Sequence, residues 1–251
     1  MKIIGNTILI TGGGSGIGRR LAESFQALGN QVIIAGRRAQ ALDETTAANP
    51  GMKSVILDVE DAVAIRAFAE RLTKDYPALN VLFNNAGIMR SENLLAQPDG
   101  LGDMEAMIAT NLLGPVRLTA ALLPHLQKQP QAAIINVSSG LAFVPLALTP
   151  TYSATKAAIH SYTQALRFQL QKTTTQVIEL IPPAVATDLM PGQASNPNSM
   201  PLEDFIAESM NLLKTQPNAT EISVERVKFL RYAAESGHYD TAFNTINQVA
   251  H

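Results

Sequence analysis

The chain contains no cysteine and only four histidines among its 251 residues. Without cysteine it forms no disulfide, holds no metal through thiolates and has no cysteine nucleophile. The histidines are scattered without metal-ligand spacing, which argues against a zinc-dependent alcohol dehydrogenase and predicts no metal site. They are His125, His160, His238 and His251.

Charge of either sign is sparse and nearly balanced, giving a formal net charge of −2. No global electrostatic attraction therefore points to nucleic acid or to an anionic membrane as a partner. The longest apolar stretch, 141–148, is too short and too broken by proline to span a bilayer. The first residues enter an apolar strand without a signal-peptide cleavage pattern, so we expect a soluble cytoplasmic protein.

Apolar residues make up 46% of the chain, and short apolar runs alternate with segments of helical period. Continuous apolar strands are typical of a parallel sheet buried on both faces. Their alternation with helices predicts an α/β Rossmann fold, a doubly wound parallel sheet with helices on both faces. Strands are predicted at 7–11, 31–35, 54–57, 80–83, 132–137 and 176–181, and helices at 16–28, 39–48, 62–76, 103–127 and 152–172.

The character of the chain changes after residue 188. Residues 190–201 are rich in Pro, Asn, Ser and Gly and predict a loop, which a helix at 202–213 follows. We expect 188–215 to form a lid over the substrate. Residues 221–224 are a candidate seventh strand, and 225–248 predict amphipathic helix broken near Gly237. The prediction is one domain, 1–251, ending in an atypical helical tail at 225–251.

A glycine-rich turn follows the first predicted strand and leads into a helix, reading Thr-Gly-Gly-Gly-Ser-Gly-Ile-Gly over residues 11–18. Glycines permit close approach to a phosphate, and a helix N-terminus attracts a pyrophosphate. A Walker-type loop is nearly matched, but Arg19 stands where lysine is required. A turn without any ligand is the alternative. The predicted cofactor contacts are Gly12, Gly14, Ser15, Gly16, Ile17 and Gly18.

The end of the second strand distinguishes between cofactors. An acidic residue about 20 positions after the glycines would hold the ribose 2′-hydroxyl of NAD. Here the strand ends Ala-Gly-Arg-Arg at residues 35–38 instead. The planar donors of arginine suit a phosphate, so we predict that NADPH is preferred over NADH. Arg37 would be the main contact of the 2′-phosphate, with Arg38 beside it; two solvated surface arginines are the alternative.

Polar residues also follow the third and fourth predicted strands, at the sheet edge where α/β proteins bind ligands. Asp58 and Val59 follow the third strand, and Asp58 could accept a hydrogen bond from an adenine amino group. The segment Asn-Asn-Ala-Gly at 84–87 follows the fourth. Its Asn85, Ala86 and Gly87 are predicted cofactor contacts, and a purely structural turn is the alternative.

Tyr152 and Lys156 stand four residues apart at the start of a predicted helix, so they share one face. A nearby ammonium lowers the pKa of a phenol and suits it to acid-base work. Alone, the spacing is weak evidence, because Tyr and Lys four apart occur by chance in many helices and are usually an ordinary surface pair. Ser139 ends the fifth strand and can stabilise charge on a carbonyl oxygen. No Gly-x-Ser-x-Gly elbow surrounds it, which disfavours a serine hydrolase.

Taken together, these residues resemble the short-chain dehydrogenase/reductase family. The resemblance covers nearly the whole chain through Thr187. It rests on the order and spacing of the glycine turn, the Asn-Asn-Ala-Gly segment at 84–87, Asn111, Ser139, Tyr152 and Lys156. A finer resemblance is to the DltE-like branch, which is encoded in some lipoteichoic-acid D-alanylation operons. It is carried by 129–135, 139–143 and the proline pair at 182–183.

The resemblance implies a catalytic role for four residues. Tyr152 would be the general acid that protonates a carbonyl oxygen, or the base in the reverse direction. Lys156 would lower the pKa of Tyr152 and hold the nicotinamide ribose. Ser139 would orient the substrate oxygen, and Asn111 would anchor a water that links Lys156 to solvent. The hydride would come from the nicotinamide.

The resemblance also implies the remaining cofactor contacts and the assembly. Pro182, Val185 and Thr187 would contact the carboxamide, although Pro183 stands where the family usually has glycine. The long helices would pair chains into a homodimer or homotetramer. The poor match of the seventh strand puts in doubt the oligomer contact that the family often makes there.

The expected function is NADP(H)-dependent hydride transfer to or from a small carbonyl or alcohol substrate. The expected pocket wall is apolar, which favours a hydrophobic ketone or aldehyde, with Arg90 as a possible anion contact. The wall comprises Met89, Leu141, Phe143, Leu148, Leu189 and Met190. A non-catalytic NADP-binding regulator is the alternative, but it has no need of an acid-base pair. An epimerase is disfavoured by the absence of a sugar-nucleotide domain.

Overall fold

The computed structural model describes residues 1–96 and 100–248. Over these residues the chain forms a parallel sheet of seven strands. They are β1 (Thr7–Thr11), β2 (Gln31–Gly36), β3 (Lys53–Ile56), β4 (Leu79–Asn84), β5 (Ala132–Val137), β6 (Thr175–Ile181) and β7 (Glu221–Ser223). Their order is β3-β2-β1-β4-β5-β6-β7, which confirms the doubly wound sheet. The chain reverses direction across the sheet between β1 and β4, and ligands bind at such a point.

Helices cover both faces of the sheet. They are α1 (Gly16–Ala27), α2 (Ala39–Ala48), α3 (Ala62–Asp75), α4 (Gly102–Ile108), α5 (Gly114–Leu126), α6 (Pro150–Leu170), α7 (Leu202–Thr215), α8 (Lys228–Arg231) and α9 (Tyr239–Gln248). Ile8 and Ile10 of β1 point to the core that contains α1 and α7. Leu9 points to the core of α3, α5 and α6. This alternation is the period of two expected of a strand, and it makes both faces apolar.

The long predicted helix at 103–127 is not continuous. A π turn, Ala109–Leu113, separates α4 from α5. The prediction missed it because the apolar pattern continues on both sides, and a single wide turn barely changes the helical spacing of apolar residues in the sequence. Such turns occur often at functional sites, and this one contains Asn111.

The tail also differs from the prediction of one amphipathic helix broken once. Residues 225–227 form a 3-10 turn, α8 has only four residues, and turns lead to Gly237, whose φ is +70°. Only α9 is a regular helix of this region. The predicted seventh strand is confirmed, since β7 pairs in parallel with β6. The predicted tail residues 249–251 lie outside the described residues.

One helical stretch, Gly102–Leu126, is long and apolar enough to cross a membrane by length and composition, with a mean hydropathy of 1.4. The expectation that 141–148 is the longest apolar stretch missed it. Leu118, Leu122 and Leu126 on this stretch are fully buried against the sheet. That packing is typical of a core helix in a globular domain.

Candidate active site

A cavity of about 610 Å³ opens at the carboxyl ends of the strands, around the reversal between β1 and β4. Most of the predicted site residues line it. They are Gly12, Gly14, Ser15, Gly16, Ile17, Gly18, Arg37, Arg38, Val59, Asn85, Ala86, Gly87, Ser139, Tyr152, Lys156, Pro182, Val185 and Thr187. Two predicted residues, Asp58 and Asn111, lie outside the lining. The sheet thus brings together residues from seven separate segments of the chain.

The glycine turn is shaped by backbone that a side chain would disturb. Gly12 and Gly16 have φ values of +68° and +51°, in the left-handed region that favours glycine. Gly18 lies so close to the Gly12 carbonyl and the Asn85 amide that a Cβ there would collide with both. The turn therefore brings α1 against β1 and leaves the helix N-terminus facing the cavity.

Thr11 connects this turn to the segment after β4. Its hydroxyl accepts from the backbone N–H groups of Asn85 and Ala86, each at 3.0 Å, and donates to the Phe83 carbonyl at 3.2 Å. The Asn85 amide in turn donates to the Thr11 carbonyl at 2.8 Å. Thr11 stands within the predicted motif without a predicted role, and the structure assigns it the positioning of both loops.

The neighbouring residues Asn84 and Asn85 have different roles. Asn84 is buried, and its amide donates to Thr119 Oγ1 at 3.0 Å and Asn136 Oδ1 at 2.8 Å. Asn136 continues this network to Thr163 at 2.9 Å. The structural alternative thus holds for Asn84, whereas Asn85 lines the cavity.

The arginines at the end of β2 have different partners. Arg37 pairs with Glu60, at 2.7 Å, and lies 3.9 Å from Asp58. Arg38 donates to Ser15 Oγ at 2.8 Å, and within the described residues no carboxylate pairs with it. The sequence prediction missed Glu60, whose carboxylate also accepts from Thr110 at 2.7 Å.

Asp58 lies next to the cavity lining, beside Val59. Its side chain is half-exposed, accepts from the Glu60 N–H at 3.0 Å and does not line the cavity. Asp58 therefore orders the turn after β3, while Val59 reaches the cavity. The adenine contact of Asp58 stays a prediction.

Ser139, Tyr152 and Lys156 converge at the inner end of the cavity, and all three are nearly buried. The Lys156 Nζ lies 5.5 Å from the centroid of the Tyr152 ring and donates to the Val137 carbonyl at 2.8 Å. The Ser139 hydroxyl accepts from the Leu141 N–H at 3.1 Å. The structure therefore brings the predicted serine, phenol and amine into one place.

Burial controls the protonation of this pair. It raises the pKa of Tyr152 to about 12, against an opposing interaction with the Ser139 side chain. It lowers the pKa of Lys156 to about 8, against an attraction from Glu179. The net direction for Tyr152 is opposite to the predicted one, because loss of water outweighs any help from the ammonium. At neutral pH the phenol keeps its proton and can act as an acid.

Asn111 is fixed by the π turn beside this pair. Its carboxamide accepts from the Ile88 N–H at 2.9 Å, donates to the Ile88 carbonyl at 2.8 Å and reaches Thr155 Oγ1 at 3.3 Å. It therefore ties the segment after β4 to the helix of Tyr152 and Lys156. The water relay expected of Asn111 stays a prediction.

The segment after β6 is held without the usual glycine. The Pro182 carbonyl accepts from the Gly140 N–H at 2.9 Å, and Val185 forms a parallel bridge with Met200. Gln193, which the sequence prediction missed, donates to the Val185 carbonyl at 2.7 Å. This contact fastens the predicted lid to the cofactor side of the cavity.

Four of the six residues predicted for the apolar wall belong to an apolar cluster around Tyr152, and of these four Leu189 lines the cavity. Met89, Leu141, Leu189 and Met190 pack with Tyr152, and Met107, Ile88 and Leu146 were missed. Phe143 instead packs against the core of β6 and β7, with its ring 4.6 Å from that of His160. Leu148 is partly exposed. These two residues are a correction to the predicted wall.

The tail packs directly behind the serine loop. A Cβ on Gly140 would come within 2.9 Å of Val227 and 3.0 Å of Leu230. Asn247 of α9 accepts from the Ala147 N–H at 2.6 Å and donates to the Pro145 carbonyl at 3.2 Å. The tail therefore supports the loop that follows Ser139.

A charged cluster lies behind α6. His160, Glu179 and Glu221 place one ligand atom each within 4.8 Å of one another. Both Glu221 oxygens accept from Arg231, at 2.7 and 3.0 Å. Because the guanidinium already engages both oxygens, an arginine takes the place that a cation would fill.

Comparison with known proteins identifies the family of this chain and supports its fold. The profile of the short chain dehydrogenase family matches residues 6–198. The chain belongs to that family. A curated relative, the uncharacterized oxidoreductase DltE of Bacillus subtilis (strain 168), is 42% identical over 251 residues, which cover 98% of each protein. The chain is therefore an oxidoreductase of the short-chain dehydrogenase family, close to the DltE branch.

Solved structures of the family share the fold over nearly the whole chain. A short-chain dehydrogenase from Sphingobium yanoikuyae in complex with NADPH is 25% identical, with a TM-score of 0.79 over 94% of both chains. A 3-ketoacyl-(acyl-carrier-protein) reductase from Brucella melitensis complexed with NADH is also 25% identical. Its TM-score is 0.78 over 90% of this chain and all of the other. Similar structures thus bind either cofactor.

Proposed function

We propose that this oxidoreductase reduces an apolar ketone or aldehyde with NADPH. The observation that carries the proposal is that Ser139, Tyr152 and Lys156 line one cavity, and that an apolar cluster, which includes Leu189 of the lining, packs around Tyr152. The glycine turn opens into the same cavity. In this turn Gly18 lies close to Gly12, and without side chains the backbone is accessible from the cavity. That arrangement fits a dinucleotide pyrophosphate.

The residues act on the carbonyl oxygen. When bound, the nicotinamide supplies the hydride. Tyr152 donates its phenolic proton to that oxygen, and its pKa of about 12 keeps the proton available at neutral pH. Ser139 donates a hydrogen bond to the same oxygen and stabilises the charge that develops there. Lys156 holds the ribose hydroxyls, and Met89 and Leu141 pack in the cluster of Tyr152 and make its surroundings apolar.

The function is tested by NADPH oxidation with a panel of apolar ketones and aldehydes of increasing size. We expect turnover of several members and little turnover of charged carbonyl compounds. Tight NADPH binding without turnover of any carbonyl compound would instead support a non-catalytic NADP-binding protein.

The preference for NADPH rests on Arg37 and Arg38. Arg38 and Ser15 offer a guanidinium beside a hydroxyl at the edge of the cavity, without a carboxylate partner among the described residues. Arg37 would have to leave Glu60 to reach a phosphate, so Arg38 carries more of the interaction than the sequence alone suggests.

We expect Arg38→Ala to weaken NADPH binding about tenfold, since a charge-assisted hydrogen bond contributes roughly 1.5–3 kcal/mol. NADH, which lacks the 2′-phosphate, should bind with unchanged affinity. Fluorescence titration with both nucleotides measures this, and Arg37→Ala should show a smaller effect of the same kind. Arg66→Ala, on the exposed face of α3, is the control. Equal weakening of NADPH and NADH would refute the phosphate assignment.

We also propose a cytoplasmic homodimer or homotetramer that pairs through α4, α5 and α6. Phe168 on α6 is 72% exposed, and Ile108 and Leu113, at the end of α4 and in the π turn, are also exposed apolar residues, so these helices carry apolar surface that an interface would cover. We expect the protein to sediment as a dimer or tetramer and Phe168→Glu to shift it toward monomer. Phe229→Glu on α8 is the matched control. A monomeric wild-type protein in sedimentation velocity would exclude the proposal.

A further inference from the structure

Glu179 is a fully buried carboxylate on the next-to-last strand of the sheet. It lies on β6, opposite Asn136 of β5, and its backbone N–H donates to the Thr220 carbonyl. A charge removed from water is costly unless partners compensate it. A strand between two apolar cores has no need of a carboxylate for packing. The partners of Glu179 therefore indicate what its role is.

The first partner of Glu179 is His160. The His160 Nδ1 lies 3.0 and 2.8 Å from the two carboxylate oxygens. His160 stands four residues after Lys156 on α6, so both side chains lie on the same face of the helix. The imidazole thus holds the carboxylate one helical turn from the catalytic amine.

Lys156 is the next charged group near Glu179, although no ion pair joins the two side chains among the described residues. Its Nζ bonds to the carbonyl of Val137, which is the residue after the strand partner of Glu179. The charge of Glu179 opposes the effect of burial on the pKa of Lys156. Without that carboxylate, burial alone would act on the amine.

The other charged groups around Lys156 are accounted for. Tyr152 is neutral at pH 7 because burial raises its pKa to about 12. Glu221 on β7 is engaged by Arg231 on α8 through both oxygens. The titratable and charged groups that face the amine or its cavity are Tyr152 and His160 from α6, Glu179 from β6, Glu221 from β7, Arg231 from α8, and Arg37, Arg38, Arg90 and Asp188 from the cavity rim.

We propose that Glu179, held in place by His160, is a positioning residue that keeps the proton on Lys156. Glu179 acts through Lys156 and touches neither substrate nor cofactor. Its effect on the proton of Lys156 is independent of the proposed function, and only the consequence for catalysis rests on that function. Arg231 pairs with Glu221 through both carboxylate oxygens, so within this cluster Glu179 is the carboxylate that acts on the amine.

A double-mutant cycle tests the coupling without any activity measurement. Glu179→Gln is made in the wild type and in Lys156→Met, and urea midpoints are measured at pH 7 and pH 10. At pH 7 the amine is protonated in the folded protein, since its pKa is about 8. Removing the carboxylate should therefore lower the midpoint more in the wild type than in Lys156→Met.

The contribution of Lys156 to stability changes with pH, and the direction of that change follows from its pKa. The pKa of Lys156 in the folded protein is below its usual value of 10.5, so its contribution to stability rises with pH between about 8 and 10.5. At pH 10 the folded amine is mostly neutral, and Glu179→Gln should lower the midpoint equally in both backgrounds. Equal effects already at pH 7 would overturn the proposal. If Glu179→Gln does not fold, Glu179→Asp replaces it in the same cycle, with a smaller coupling expected and the same criterion.

The catalytic consequence is a shift in the pH profile. Reduction of the best ketone of the panel should decline as Lys156 loses its proton near pH 8. Glu179→Gln should move this decline lower by roughly one pH unit. Glu221→Gln, a matched change in the same cluster, should leave it in place. An equal shift in Glu221→Gln would overturn the specific role of Glu179. Coupling without any ketone turnover would leave this inference standing and defeat the proposed function.

Discussion

Replacing Tyr152 by phenylalanine is expected to slow carbonyl reduction by about 10²- to 10⁴-fold, the usual contribution of a positioned general acid. The variant keeps the aromatic ring that packs with Met89 and Leu141 and removes only the hydroxyl. NADPH affinity should therefore change by about fivefold at most, since a single neutral hydrogen bond contributes about 1 kcal/mol or less. The loss should appear in kcat rather than in the affinity for the cofactor.

The pH dependence of the wild type separates the two directions of reaction. Because burial raises the pKa of Tyr152 to about 12, the phenol is a proton donor throughout the neutral range. Alcohol oxidation needs the phenolate, so its rate should rise with pH over the range in which reduction declines. Initial rates in both directions between pH 6 and pH 10 measure this contrast.

Tyr162→Phe is the matched control for Tyr152→Phe. Tyr162 lies on the same helix, and burial also raises the pKa of its phenol, but it packs with the core of α3, α5 and α6 rather than lining the cavity. Removing the Tyr162 hydroxyl should leave kcat within about twofold of the wild-type value. If Tyr152→Phe retained more than a tenth of the wild-type rate, the proton would have to come from another donor.

Gly18→Ala is expected to destabilise the protein by roughly 3 kcal/mol, at the upper end for an overpacked site, and to abolish NADPH binding. The added methyl group would meet the Gly12 carbonyl, which belongs to backbone and cannot rotate away. It would also displace the Asn85 amide from the Thr11 carbonyl. Urea unfolding and fluorescence titration with NADPH measure the two effects.

Gly36→Ala is the control for Gly18→Ala. Gly36 lines the same cavity, but a Cβ there would meet only Leu42, at an ordinary contact distance of 3.7 Å. Its urea midpoint should stay within a few tenths of a molar unit of wild type. Full stability and NADPH affinity in Gly18→Ala would mean that α1 can move away from β1, against the close contact described above.

The parts of the fold that were predictable are those with a strong local signal. Continuous apolar runs ended by glycine or polar residues predicted six strands, and β5 agrees at both ends. Tyr152, Lys156 and Ser139 were predictable because spacing and strand ends place them at one edge of a parallel sheet. The family resemblance supplied Asn111, which has no local signal of its own.

The parts that were not predictable depend on contacts between distant segments. Glu60 competes for Arg37 because α3 begins beside the end of β2, which no local pattern reveals. Phe143 turned to the core because the tail supplies Arg231, whose guanidinium lies 4.5 Å from its ring centroid. The direction of the pKa of Tyr152 depends on its burial, which a sequence does not measure.

The π turn at Ala109–Leu113 also determines where this chain tolerates a change in length. Such a turn holds one residue more than an α turn, so deleting one residue there would leave a continuous helix with its two halves in register. A deletion elsewhere in α5 would rotate every later side chain by about 100°, taking Leu122 off the sheet. We therefore expect a deletion of one residue at this turn to spare the core while it removes the local geometry that holds Asn111.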